Sequence, residues 1–220
     1  KAVNPDNGVL EKHRCLLKDI RQQVVGTKAN IVFGDIEIPT SSHPEIKKLK
    51  SKNNVHQLHG NKVWNATLVT IDVLEELDVL KGRVADLGCG WGVLSHYMQK
   101  KGCDVTGFDL DTNVEPYFKL MSKLMDATPE FSNTDIFSKN LPLDYDIYIA
   151  CDVCFWEEHV LEWVRLIDIL TKAGKTLIMV DPGRSSFWSL LSMSPCPYDI
   201  ERKFITEPRK TDAYIVMFGE

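Results

Sequence analysis

The sequence predicts a doubly wound α/β fold: a mostly parallel seven-stranded sheet with helices on both faces and an antiparallel strand at one edge. Short apolar runs alternate with helix-periodic segments from about residue 83 to residue 180, the pattern of right-handed βαβ units. The first of these strands runs directly into three alternate glycines, Gly88, Gly90 and Gly92, and then into a helix. Two closing strands follow with no helix of ordinary length between them, so they can pair as a hairpin at a sheet edge. A chain of 220 residues accommodates one such domain with an appendage.

The elements follow in order. Val9 to Val25 has helical periodicity (Leu10, Leu16, Leu17, Ile20, Val24), with Asn7-Gly8 before it and Gly26 as its stop. Asn30 to Ile38 reads as one strand interrupted by Gly34, and Pro39 to Asn54 as a loop or short helix. Residues 1–55 carry no chemical motif and are expected to form an N-terminal appendage to a domain spanning 56–220. Within the domain, Trp64 to Leu77 is an amphipathic helix with Trp64, Leu68, Ile71 and Leu74 on one stripe. Strands are expected at Arg83–Leu87, Asp104–Phe108, Ser132–Phe137, Asp146–Cys151 and Lys175–Val180. Helices are expected at Val93–Lys100, Val114–Met125 and Val160–Leu170, the last ended by Gly174. Ile200–Ile205 and Ala213–Phe218 are the closing strands.

The formal net charge is −5, which argues against a general nucleic-acid-binding surface. The one basic stretch, Lys47 to Lys52, reads as a solvated face, with a docking patch for an acidic partner as the alternative. No apolar run approaches the roughly 18 residues needed to span a bilayer, so no membrane partner is expected. Lys1 to Gly8 is polar and carries Pro5, unlike a secretory signal. The six cysteines are irregularly spaced, and a disulfide framework is not expected at this size. Reduced thiols point to the cytoplasm, or to an organelle matrix. Cys151 and Cys154 form a CxxC in an apolar stretch without a second pair or ligand histidines, and read as small hydrophobes at a strand end. The histidines show no metal spacing, so no metal is expected. Oligomeric state is left open, with a monomer as the default.

The chemistry concentrates in Asp86-Leu87-Gly88-Cys89-Gly90-Trp91-Gly92. Glycines serve where backbone turns tightly and lies against a ligand, and the helix that follows presents free N–H groups. Asp109 ends the next strand, 21 positions after Gly88, where a carboxylate accepts hydrogen bonds from ribose hydroxyls. A dinucleotide loop has the pattern G-x-G-x-x-G, yet its last glycine position here is Val93. Asp86 would also repel a pyrophosphate, whereas it attracts the ammonium and sulfonium of S-adenosylmethionine. S-adenosyl-L-methionine is therefore the expected cofactor. Asp135, placed after the third strand, is expected to receive the adenine amino group, with a turn cap as the plainer reading.

The segment Val84 to Gly92 resembles motif I of the class I, Rossmann-like methyltransferases. Trp64, just before the first strand, is similar to a tryptophan element of the family 16 group, the seven-β-strand protein-lysine methyltransferases. Asp152-Val153-Cys154-Phe155 resembles that group's [D/E]-x-x-[Y/F] motif, with Phe155 in place of the commoner Tyr. Asp181-Pro182-Gly183-Arg184 is similar to a segment of the lysine methyltransferases of the electron-transfer-flavoprotein β-subunit. The resemblance covers residues 56–220. It implies cofactor contacts from Trp64, Asp86, Gly88, Cys89, Gly90 and Gly92, and also from Asp109, Asp135, Ile136 and Cys151. It implies catalytic roles for Asp152 and Phe155, and a substrate mouth lined by Trp156, Asp181 and Arg184, with a turn carrying a surface ion pair as the plainer reading of Asp181 and Arg184. The acceptor it implies is a lysine ε-amine of a protein substrate. An RNA or small-molecule acceptor, or a catalytically silent cofactor-binding module, are the rival readings.

Overall fold

The computed structural model describes residues 27–33, 36–52, 62–77 and 82–219; the helix expected over 9–25 lies outside them. The chain enters through β1 (Asn30–Phe33) and β2 (Ile36–Pro39), an antiparallel pair closing with Phe33 opposite Ile36. The expected single strand over Asn30–Ile38 is thus two strands folded against each other, with the glycine interruption between them. Helix α1 (Pro44–Lys52) follows, opened by a proline, which suits a first turn because its missing N–H would be unpaired there anyway. Lys47, Lys48 and Lys52 are exposed along it, as a solvated face should be, whereas Lys50 is half-buried with Nζ 5.0 Å from the Trp91 ring. Ile36, Ile38 and Ile46 belong to the same apolar cluster as Leu68, Ile71 and Leu74, so this N-terminal segment is packed into one core with the domain.

Helix α2 (Asn65–Leu77) leads into β3 (Arg83–Leu87), α3 (Val93–Lys100), β4 (Asp104–Phe108), α4 (Glu115–Met125) and β5 (Glu130–Ser132). Then come β6 (Ile147–Cys151), α5 (Val160–Lys172), β7 (Thr176–Asp181), α6 (Ser185–Ser192), β8 (Tyr198–Ile205) and β9 (Thr211–Phe218). The seven-stranded sheet has the order β5-β4-β3-β6-β7-β9-β8. Strands β3 to β7 pair in parallel, and β9 runs antiparallel to both of its neighbours. The closing hairpin forms at the sheet edge, with β9 slotted between β7 and the outermost strand β8.

Side-chain alternation along the strands builds two cores. Val84, Val105, Ile149 and Ile178 face α2, α3 and α4. Ala85, Leu87, Phe108 and Tyr148 face α5 and α6, where Trp163 and Phe187 are fully buried. Two further points differ from the sequence reading. The strand placed at Ser132–Phe137 is only the three residues Glu130–Ser132. Beyond it the Asp135 carboxylate accepts the Phe137 N–H at 2.9 Å, a local turn bond that competes with strand pairing. Helix α6 was not foreseen, because its serines favour turns; burial of Phe187, Leu190 and Leu191 decides the matter.

The chain begins the large sheet at its centre. Strands β4 and β5 are added on one side of β3, and β6 and β7 on the other. This reversal opens a crevice outside the carboxyl ends of β3, β4 and β6, the usual ligand position in such sheets.

Candidate active site

A cavity of about 530 Å3 fills that crevice. Its floor is the loop after β3. Gly88 and Cys89 both donate their N–H to the Phe108 carbonyl, at 2.8 and 3.0 Å, which ties the loop to β4. Gly88 has φ +72, and a Cβ there would sit 2.6 Å from Val153 Cγ1, so both backbone conformation and crowding require glycine. Gly92 has φ +73 and precedes α3; a Cβ on it would strike the Phe118 ring at 2.3 Å. Gly92 does not line the cavity. At Gly92 the structure shows close packing of α3 against α4.

Two carboxylates lie in the floor, Asp86 buried and Asp109 half-buried. Asp109 Oδ2 accepts the Gly90 N–H at 2.8 Å and Oδ1 accepts the Asp111 N–H at 2.9 Å. Burial raises its pKa, and these backbone bonds pull it back. Each oxygen retains a lone pair for a further donor, which a pair of ribose hydroxyls could supply. Asp86 is buried on β3 and accepts a hydrogen bond from Ser95 Oγ at 2.5 Å. Burial pushes its pKa up to about 7, the Ser95 hydroxyl opposes this, and the Asp109 charge adds to it. A carboxyl poised near neutrality in a desolvated floor favours a cationic ligand. The Trp91 indole N–H, in the cavity wall, has no hydrogen-bond partner among the described residues. These donors and acceptors fit S-adenosylmethionine, with its carboxylate, ammonium, sulfonium and ribose.

The side walls hold the remaining candidates. Trp64, Cys89, Asp135, Ile136 and Cys151 line the cavity. One Asp135 oxygen caps the turn at Phe137, the plainer of the two readings, and the residue also borders the cavity. Burial holds the Cys89 and Cys151 thiols protonated, well above their ordinary pKa, and Cys151 accepts a hydrogen bond from Thr70. Cys151 packs on the core beneath α2–α4 and Cys154 belongs to the core beneath α5 and α6, so the CxxC thiols serve separate cores.

At the mouth, Asp152 follows β6 with φ +60, a left-handed conformation costing roughly 1–3 kcal/mol for a non-glycine residue. Its N–H is fixed to the Val180 carbonyl at 2.8 Å, and its side chain is only 5% exposed. The Arg184 guanidinium donates to it and also to Asp181, the latter at 2.7 Å. Asp181 is fully buried and further accepts the backbone N–H groups of Gly183 and Arg184. Neither Asp181 nor Arg184 lines the cavity. Of the two readings of these residues the ion pair within a turn is the one that forms, and both stand one layer behind Asp152 because buried Asp181 draws Arg184 inward.

The outer wall is aromatic. The Trp64 and Phe155 rings lie 5.6 Å apart, and Phe155 and Trp156 also 5.6 Å apart. Arg184 stacks on Phe155 at 4.1 Å. Lys62 Nζ sits 3.9 Å from the Trp64 ring centroid. Lys62, His159 and Glu162 line the cavity and were not singled out from sequence. The pairing of His159 and Glu162 three residues apart at a helix start was the available signal; their side chains lie 3.9 Å apart.

Comparison with known proteins agrees with this geometry. The chain is 30% identical over 123 residues to the ubiquinone biosynthesis O-methyltransferase of Aliivibrio fischeri (strain MJ11), covering 54% of this chain and 49% of that protein. It thus spans about half the length of the curated relatives it matches. Magnesium protoporphyrin IX methyltransferase from Synechocystis PCC 6803, solved with S-adenosylmethionine bound, superposes with TM-score 0.53 at 17% identity, covering 98% of this chain and 97% of that one. The N-methyltransferase NodS of Bradyrhizobium japonicum WM9 superposes with TM-score 0.54 at 15% identity, covering 71% and 97%; at these identities the likeness is one of fold. Residues 48–177, more than half of the chain, match the model of the methyltransferase small domain, and the chain belongs to that family, whose cofactor is S-adenosylmethionine.

Proposed function

We propose that this chain transfers a methyl group from S-adenosylmethionine to the ε-amine of a lysine on a protein substrate, as the family 16 enzymes do. The observation carrying this reading is the mouth itself. A nearly buried carboxylate, Asp152, is held in a costly backbone conformation beside Phe155, and an alkylammonium, that of Lys62, already rests on Trp64.

The cofactor supplies an electrophilic methyl group on a positively charged sulfur. Asp109 and the Gly90 loop would hold its ribose, Asp86 its cationic end, and Asp135 with Ile136 its adenine. The acceptor side follows from charge. Asp152 and Asp181 share one guanidinium, leaving a net charge of about −1 that draws an ammonium toward the mouth. Deprotonating a lysine at pH 7 costs about 4–5 kcal/mol, and a lone carboxylate would make that worse by stabilising the ammonium. Arg184, bonded to the same carboxylate, reduces this penalty while Asp152 still orients the amine. Trp64, Phe155 and Trp156 exclude water from the alkyl stem and attract the incoming cation by about 0.5–2 kcal/mol. The proton leaves to solvent.

A second reading is favoured by His159 in the aromatic wall beside Glu162. An imidazole there could take the proton of a hydroxyl on an aromatic small molecule, and the curated relatives are named as O-methyltransferases. Tritiated cofactor with a cell lysate tests the choice. Label that survives RNase, is freed by protease and maps to methyllysine supports the first reading. Label confined to small molecules supports the second, and label lost to RNase overturns both.

A further inference from the structure

We propose that Lys62 is itself a methyl acceptor, so that the chain modifies its own lysine at the mouth of its cavity. The inference rests on the methyl-transfer reading and adds a site to it. Lys62 lines the same cavity as Gly88, Asp109 and Asp152. Its Nζ lies 3.9 Å from the Trp64 ring centroid, and that ring neighbours Phe155 at 5.6 Å. Asp152 feels the lysine: burial raises its pKa most, while Arg184 and, more weakly, Lys62 lower it. The side chain is exposed and stands just ahead of α2, so its four-carbon stem can swing between Trp64 and the cavity without moving a helix. An ammonium over an aromatic face beside a carboxylate is the arrangement a lysine from another protein would have to adopt, and here the chain supplies it in cis.

The step balances simply. Lys62 loses a proton to water, its nitrogen lone pair forms a bond to the methyl carbon of S-adenosylmethionine, and the carbon–sulfur bond breaks with its electrons returning to sulfur. The methylated nitrogen regains a proton, so the charge at the mouth is preserved and its contact with Trp64 grows more apolar.

The test combines a binding, a structural and a mass measurement on the whole chain. Calorimetry with S-adenosylmethionine establishes whether the cofactor binds. Separately, without cofactor, lysines are dimethylated by 13C-formaldehyde and borohydride; the Lys62 signal, identified by its loss in Lys62→Arg, should lie upfield of exposed lysines through the Trp64 ring current. It should also shift when S-adenosylhomocysteine is added. Incubation of unmodified chain with methyl-labelled cofactor should then place label on the Lys62 peptide, absent in Lys62→Arg, at a rate per chain that does not change on dilution. Cofactor binding and labelling of lysate protein without label at Lys62 would overturn this proposal and leave the function standing. A Lys62 signal at the exposed-lysine position, unmoved by S-adenosylhomocysteine, would overturn it as well. A labelling rate that falls with dilution would overturn the cis assignment. No binding of S-adenosylmethionine would bring down the functional reading and this proposal together.

Discussion

Arg184 is ion-paired to Asp152, 32 residues earlier in the chain, and holds that carboxylate against the rim of the cavity. The same guanidinium reaches the fully buried Asp181 at 2.7 Å. Removing one partner of a buried ion pair leaves an uncompensated charge and costs about 3–5 kcal/mol. Arg184→Met should therefore lower the unfolding free energy by an amount of that order in a denaturant titration. Adding Asp181→Asn should recover part of the loss, since one stranded carboxylate is gone. Equal stability of wild type and Arg184→Met would show that the bridge does not form in solution.

Asp152 is expected to serve the acceptor, not the cofactor. Asp152→Asn should cut methyl transfer by about 100-fold or more through lost positioning, while affinity for S-adenosylhomocysteine stays within about threefold. Asparagine tolerates the left-handed backbone at φ +60, so the fold is kept. Asp152→Val should instead be destabilised by roughly 1–3 kcal/mol. Near wild-type transfer by Asp152→Asn would remove the carboxylate from the mechanism.

The cofactor half of the site was legible because it is local: Asp86, the glycine loop and α3 are consecutive, and Asp109 lies at a fixed distance along the next strand. The acceptor half was less so. Register places Cys151 opposite Val180, so Asp152 and Asp181 emerge side by side, and only that pairing lets one arginine serve both. Sequence offered the three residues and, as one reading, the Asp181–Arg184 pair, but not the bridge to Asp152. Lys62 and His159 were passed over for a related reason. Each has one ring in its own segment, Trp64 for the lysine and Trp156 for the histidine, but acquires meaning only when another element brings in the next, Phe155 against Trp64 and Phe137 against His159. Helix α6 was missed because its propensity is poor and its burial, invisible locally, is strong.

Cofactor binding should be linked to pH through Asp86. Its folded pKa is raised from 3.8 to about 7, so the ligand-free fold favours the protonated form. That contribution to stability is complete below about pH 4 and is lost as pH rises through 7. A cationic ligand favours the ionised carboxylate, so binding should release a proton near neutrality and tighten between pH 6 and 8. Calorimetry in two buffers of different ionisation enthalpy reads the proton directly. Asp86→Asn should abolish the release and weaken binding about tenfold or more. Identical heats in the two buffers for wild type would rule this linkage out.

His96 carries the opposite dependence. It is buried between α3 and α4, with Nδ1 donating to the Gly92 carbonyl and Nε2 2.9 Å from Ser122 Oγ. Burial depresses its pKa from 6.5 to about 4. A histidine kept neutral by the fold contributes stability above pH 6.5, and this is lost as pH falls toward 4, up to about 3 kcal/mol. His96→Gln should be less stable at pH 7 yet lose little more between pH 6.5 and 4.5, whereas the wild-type melting temperature should drop across that window. Parallel pH profiles for the two proteins would exclude His96 as the acid-sensitive group.

The two acceptor readings separate at His159. A hydroxyl acceptor needs a base in reach, and losing a general base typically costs about 100- to 10,000-fold. An amine acceptor needs no such group, because its proton departs to water once burial and the adjacent sulfonium disfavour the ammonium. His159 also packs edge-on against Trp156 at 5.3 Å and Phe137 at 5.6 Å, so its replacement disturbs the wall a little in either case. On the lysine reading, His159→Gln should keep transfer within about tenfold of wild type, while Asp152→Asn loses far more. The pH–rate profile should rise toward alkaline pH in both wild type and His159→Gln, following the amine. A collapse of activity in His159→Gln, with label appearing on a hydroxyl oxygen, would move the acceptor to a hydroxyl and make His159 the catalytic base.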